Sequence, residues 1–171
     1  DLALHVKTEQ AEVSVRVSFI PTQNGYSIVM RIVRDRHSEA IAQHFSDVEW
    51  SKMYYELQYN QGLVLVSGPV GSGKTTFYYG LMKELCAQRK KVIAIEDPIE
   101  NHVAQAFQVD IKKENITFAE TIKIILRQDP DVVMLGEVRA DDSTRCLAEA
   151  KLSGHMVIGT IHAQTPWDCI L

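Results

Sequence analysis

The chain of 171 residues is long enough for one domain, or for one domain and part of another. With 46% hydrophobic and 23% charged residues it has a globular composition, and a formal net charge of −4 gives no support for a general polyanion binder, leaving room only for a local basic stripe. Three widely spaced cysteines, Cys86, Cys146 and Cys169, make neither a disulfide framework nor a CxxC zinc pair, and no apolar run approaches the roughly 20 residues of a membrane span.

No signal peptide opens the chain, and the cysteines read as reduced thiols, so a cytoplasmic protein is expected. The chain begins without Met and stops at "PWDCIL" as a new helix begins, which reads as a piece of a longer protein.

Residues 1–35 alternate in the manner of strands. In "EVSVRVSFI", Val13, Val15, Val17 and Phe19 point one way and Ser14, Arg16 and Ser18 the other. "PTQNGY" supplies a turn, with Asn24-Gly25 suited to positive φ, and "SIVMRIVR" reads as the return strand of a β-hairpin. With a two-residue turn at Asn24-Gly25, Arg16 falls opposite Val33 and Arg31 is its diagonal neighbour on the same face. Two like charges so placed repel unless an anion sits between them; a solvated edge is the plainer alternative.

Residues 36–62 read as a helical linker. Ser46 and Glu49 form a candidate capping box ahead of "WSKMYYELQY". From residue 63 to 171 strand and helix alternate. "LVLV", "KVIAIE", "DVVMLGE" and "HMVIGTIH" are continuous apolar runs, as expected of strands buried on both faces. Helices are predicted over Thr75–Arg89, over Thr117–Gln128 with Thr117 and Glu120 as a capping box, and around Asp141–Ser153 before Gly154. The alternation predicts an α/β fold with a mainly parallel sheet.

"GPVGSGKTT" carries the first chemistry. Gly68, Pro69, Val70, Gly71, Ser72, Gly73, Lys74 and Thr75 fit G-x-x-x-x-G-K-[ST], with Thr76 following. The glycines let backbone N–H groups turn inward around phosphates, and the helix that follows adds its N-terminal dipole. Lys74 supplies a cation for the β- and γ-phosphates, and the Thr75 hydroxyl suits Mg2+. An apolar strand before and an amphipathic helix after are the right context.

Three further clusters follow strands. "VIAIE" runs into "DPIE", placing Glu96, Asp97 and Glu100 where carboxylates hold Mg2+ or its waters; taken alone, "EDP" equally fits a capped turn. "PDVVMLGEVR" ends a strand with Glu137, a candidate for aligning and deprotonating an attacking water. Gly136 stands where many P-loop proteins have Asp, so the metal must be held by other groups. "GHMVIGTIHAQT" places His162 at a strand's carboxyl end, where an imidazole could sense the γ-phosphate; a structural histidine is the alternative. His155, seven residues earlier, is too far away to form a metal pair with it.

Together these stretches resemble the type II/IV secretion ATPases, the hexameric motors of type II secretion, type IV pili and DNA-uptake pseudopili. "GPVGSGKTT", "AIEDPIE", "LRQDPDVVMLGEVR" and "GHMVIGTIHAQT" look like the family's Walker A motif, Asp box, atypical Walker B motif and His box, in the family's order. Gly136 is also what the family shows. The resemblance covers about residues 1–171 and is strongest from 60 to 165.

It implies a RecA-like P-loop core over 63–171, preceded by a linker at 36–62 and by part of a PAS-like α+β domain at 1–35. It implies ATP and Mg2+ as cofactors, with Thr75, Glu100 and Glu137 around the metal. Glu137, Lys74, Glu96 and His162 are implied in catalysis, together with Arg16 and Arg31, which contact a nucleotide phosphate when the first domain closes. Implied partners are identical subunits in a hexameric ring, an integral membrane platform protein and pilin or pseudopilin machinery. No direct nucleic-acid contact is expected, and the place is the inner face of the cytoplasmic membrane.

Departures from the family pattern are "GEVRAD" for the usual GE-hydrophobic-RD, Gln164 where Asn is common, and Tyr26-Ser27 for Glu-Arg. The chain looks most like the compact ATPases of Gram-positive competence systems. Rival readings are a small-molecule kinase, for which no arginine-rich lid is found, a scaffold that binds nucleotide without hydrolysis, and a nucleic-acid motor.

Overall fold

The computed structural model describes residues 2–7, 12–33, 41–59, 61–138, 140–163, 165 and 168. The chain divides into two compact units, Asp1–Ser38 and Glu39–Leu171.

In the first unit, β1 (Leu2–Lys7), β2 (Glu12–Thr22) and β3 (Gly25–Val33) form an antiparallel sheet in that order. The predicted hairpin is β2–β3, and β1 is an additional strand. The register also differs from the prediction. Thr22 pairs with Gly25, so the two-residue turn is Gln23-Asn24, and Gly25 takes the positive φ just after it. Arg16 therefore lies directly opposite Arg31, not opposite Val33. The slip is by two positions, an even number, so the alternation of faces along the hairpin is kept.

The second unit is built on five parallel strands in the order β4-β8-β7-β5-β6. They are β4 (Gly62–Gly68), β5 (Val92–Glu96), β6 (Phe107–Asp110), β7 (Val132–Leu135) and β8 (Met156–His162). The helices are α1 (Asp47–Tyr59), α2 (Lys74–Ala87), α3 (Ile111–Glu114), α4 (Phe118–Ile125) and α5 (Ala140–Leu152). The four predicted strands are present. The fifth, β6, is short and its Phe107 is exposed, so it carries little apolar signal.

Strand alternation splits the core into two layers. Val92, Ala94, Val132, Met134, Met156 and Ile158 face one cluster, with Tyr78, Leu81, Met82 and Leu85 of α2. Ile93, Ile95, Val133, Leu135 and Val157 face the other, with Ile122 and Ile125 of α4 and Leu147 of α5. Each of the Val, Leu, Ile and Met side chains among them contributes about 1.5–3 kcal/mol when fully buried. β4 departs from the expectation of two buried faces: Leu63 is 42% exposed, because β4 is an outer strand of this sheet with β8 as its neighbour.

The predicted linker packs onto the core. Ile41 and Leu57 are buried in the first cluster, and Phe45 and Trp50 lean on it. The Phe45 ring meets Phe77 of α2 edge-on at 5.7 Å. Both predicted capping boxes form: Ser46 Oγ accepts from Glu49 N at 3.3 Å while Ser46 N donates to the Glu49 carboxylate at 3.0 Å. Thr117 and Glu120 make the same reciprocal pair at the start of α4.

Candidate functional site: the carboxyl edge of the parallel sheet

Because all five strands run the same way, their carboxyl ends share one edge, where α/β sheets bind ligands. The strand order places the predicted groups along it in sequence: the phosphate loop after β4, His162 ending β8, Glu137 just beyond β7 and Glu96 ending β5.

The phosphate loop is a local construction. Gly71 and Gly73 take φ +82 and +95, a left-handed backbone that other residues rarely adopt. Ser72 Oγ donates to the Pro69 carbonyl at 2.9 Å. Lys74 Nζ reaches back across the loop to the carbonyls of Gly68 and Pro69, at 2.6 and 2.8 Å. Lys74 is also the first residue of α2, so its ammonium and the free N–H groups of the first turn lie together. Thr75 and Thr76 are exposed in that turn, and Val70 is exposed at the loop tip.

β8 lies next to β4 with His162 in register with Gly68. Its Nε2 lies 3.2 Å from the Glu137 carboxylate. Glu137 is held by its neighbours in the chain: Gly136 N donates to Ile95 O at 2.9 Å and Val138 N to Thr160 O at 2.7 Å. The Thr160 hydroxyl also donates to the Gly136 carbonyl. Glu137, His162 and the phosphate loop are thus brought to neighbouring strand ends by backbone bonds, a geometry suited to aligning a water against a phosphoryl group.

Glu96 is enclosed rather than open at the strand end. It is 3% exposed, and its carboxylate accepts from the Tyr79 hydroxyl and, at 2.9 Å, from Gln108 Nε2. Burial raises its pKa, the two hydrogen bonds oppose that, and the Glu100 charge adds to it. Glu96 is therefore an internal brace rather than a carboxylate open at the strand ends. Gly136 explains part of the enclosure: a Cβ there would come within 3.1 Å of Glu96 Cγ, so an aspartate at 136 would displace Glu96. Tyr79 and Gln108 carry no motif signal, and nothing in the sequence alone singled them out. Glu100 is half-buried, with its backbone N–H donating to the Tyr79 hydroxyl at 3.0 Å.

Among the described residues no group of three or more His, Cys, Asp or Glu is placed to hold a metal by itself. A nucleotide-bound Mg2+ asks for no such group, since phosphates and waters fill most of its octahedron and one or two protein oxygens suffice. The hydroxyl of Thr75 and the carboxylates of Glu100 and Glu137 are hard oxygen donors of that kind. Arg31 is exposed on β3 of the first unit; the Arg16 side chain, Arg139 and Gln164 lie outside the described residues.

A P-loop opening a helix beside a parallel sheet, with a glutamate and a histidine at adjoining strand ends, defines a P-loop protein of RecA-like architecture. The chain belongs to the type II/IV secretion system protein family, whose model matches residues 1–171. It is 37% identical over 157 residues to "Type II secretion system protein E" of Pseudomonas aeruginosa, covering 90% of this chain and 31% of that protein. It is 36% identical over 160 residues to "Type II secretion system ATPase E" of Vibrio cholerae, covering 90% of this chain and 31% of that one. It is 35% identical over 157 residues to "Type IV pilus assembly ATPase TfpB" of Acinetobacter baylyi, covering 88% and 26%. The chain thus spans about a third or less of these relatives' lengths.

Among solved structures, the pilus retraction motor PilT with bound ADP matches with a TM-score of 0.78 at 25% identity, covering 99% of this chain and 49% of that one. The ATPase DotB of Legionella pneumophila matches with a TM-score of 0.77, covering 99% and 49%; at 21% identity this is a likeness of fold. No helix among the described residues is long and apolar enough to cross a membrane.

Proposed function

We propose that the protein to which this chain belongs hydrolyses ATP and uses the cycle to drive a secretion, type IV pilus or DNA-uptake pseudopilus machine. The single observation that carries the hydrolytic reading is the contact of Glu137 with His162, at 3.2 Å, on strand ends beside a complete phosphate loop. Lys74 and the first-turn N–H groups hold the β- and γ-phosphates. Glu137 accepts the proton of the attacking water, and His162 keeps its carboxylate in place. Thr75 with Glu100 and Glu137 holds Mg2+, which supplies neutralisation of the developing phosphoryl charge.

Arg16 pairs with Arg31 in the register of β2 and β3, and two cationic residues at paired positions suit an anion such as a phosphate. In this reading they complete the charge neutralisation at the nucleotide's phosphates. Identical subunits forming a hexameric ring, a platform protein in the membrane and pilin-like subunits are the partners, with the ring at the inner face of the cytoplasmic membrane.

Release of inorganic phosphate from ATP by the full-length protein, with no acceptor added, tests this. The expected result is steady turnover that Lys74→Ala reduces at least about tenfold, as the loss of a charge-assisted phosphate contact should. Phosphate release that needs an added small-molecule acceptor would make the protein a kinase instead.

A further inference from the structure

α2 does two jobs at two heights. Its first turn carries Lys74 and Thr75. Tyr79, four residues beyond Thr75, lies roughly 6 Å further along the axis at 1.5 Å per residue. Its side chain is 1% exposed, and its hydroxyl is saturated. It donates to Glu96 and accepts the backbone N–H groups of Glu100 and Asn101, at 3.0 and 3.1 Å.

From the other side Gln108 of β6 closes the same loop. It donates to the Asn101 carbonyl at 2.7 Å and accepts from Val103 N at 2.8 Å. Within the loop Ala106 N donates to the Val103 carbonyl at 3.0 Å, and Asn101 Nδ2 is buried with no hydrogen-bond partner among the described residues. The segment that bears Glu100 is thus hung on a phenol of the helix that bears Thr75.

We propose that Tyr79 is a positioning residue: through its hydroxyl it ties the Glu100 backbone to the phosphate-loop helix and sets the separation at which Thr75 and Glu100 meet a nucleotide-bound divalent cation. This rests on the Mg2+-nucleotide reading above. α2 is a rigid rod, so movement of its first turn on the phosphates is carried to Glu100 without passing through the ten residues between Glu96 and Phe107. Gln108 fixes the loop to the sheet; Tyr79 fixes it to the helix.

The test uses the full-length protein and a fluorescent ATP analogue, titrated in EDTA and in excess Mg2+. Wild type should bind more tightly with Mg2+. Tyr79→Phe keeps the ring packing and removes the hydroxyl. It should leave the EDTA affinity within about twofold and reduce the Mg2+ enhancement about fivefold to tenfold, the scale of a lost buried hydrogen bond. Because Tyr79 acts through Glu100, Tyr79→Phe should add less than about twofold in a Glu100→Gln background.

An unchanged Mg2+ enhancement in Tyr79→Phe overturns the inference, as do equal losses in EDTA and Mg2+ or effects that multiply in the double variant. A wild type that binds equally with and without Mg2+ overturns both this inference and the reading beneath it. Should Tyr79→Phe fail to fold, amide hydrogen exchange on wild type decides. Protection at Glu100 and Asn101 should rise with Mg2+-nucleotide more than with nucleotide in EDTA, and equal protection in both overturns the coupling.

Discussion

The loop at 68–74 and the loop at 97–106 sit at carboxyl ends of the same sheet and are held in opposite ways. The first closes on itself, with side-chain bonds spanning three, five and six residues and a backbone preset by Gly71 and Gly73. The second makes a backbone bond of its own, Ala106 N to Val103 O, and is tied to the rest of the fold by Tyr79 from 21 and 22 residues away and by Gln108 and Asp110 from β6. A local loop keeps its shape wherever it is placed. A loop hung on distant side chains reports the position of those side chains. The grip on the phosphates is therefore intrinsic, whereas the acidic side of the site is conditional on packing.

The largest expected effect separates grip from chemistry. In the full-length protein, Glu137→Gln should lower kcat for ATP hydrolysis by about 10²–10⁴, the range for losing a general base. Nucleotide affinity should stay within about threefold, because the locally built loop does not depend on Glu137. Steady-state phosphate release and an analogue titration measure the two separately. Hydrolysis at the wild-type rate would remove Glu137 from the reaction.

The same contrast explains what could be read from the sequence. Residues 68–75, the two capping boxes and the four apolar strands depend on neighbours within a few positions, so spacing alone revealed them. The enclosure of Glu96 was not legible because its strand-end position is visible in sequence while its partners, Tyr79 and Gln108, are 17 and 12 residues away. β6 was missed because four residues with an exposed phenylalanine leave no buried pattern. The hairpin at 22–25 was found with its turn displaced by one residue. Asn24-Gly25 is the stronger two-residue turn signal, yet Thr22 pairs Gly25 and its hydroxyl donates to the Gly25 carbonyl at 3.1 Å. That small displacement moved the partner of Arg16 by two places. Arg31 became its direct cross-strand neighbour, a difference that matters for any anion they share.

A middle-sized effect probes the conditional side without touching the phosphates. Gly136→Ala forces a methyl group to within 3.1 Å of Glu96 Cγ, inside a packed layer. It should destabilise the protein by about 1–3 kcal/mol, as overpacking does. Val70→Ala, at the exposed tip of the local loop, should stay within about 0.5 kcal/mol. Urea unfolding followed at constant m-value compares them. Equal costs at 136 and 70 would show that Glu96 moves freely and that the brace is not fixed.

The smallest effect is a difference of sign between two carboxylates. Burial raises the Glu96 pKa in the folded chain, so its contribution is fully present below the unfolded pKa and is lost as pH rises through the folded one. Glu120 is the reverse: hydrogen bonds from the Thr117 hydroxyl and backbone lower its pKa. Its contribution is present above the unfolded value and is lost as pH falls through the folded one. Acidification from neutrality toward the ordinary carboxylate range should thus favour the enclosed Glu96 before it harms the exposed cap. Glu96→Gln should flatten stability over the upper part of that range, and Glu120→Gln over the lower part. If Glu96→Gln instead left the upper part unchanged, Tyr79 and Gln108 would have compensated the burial of the charge in full, and the brace would be ionised without cost.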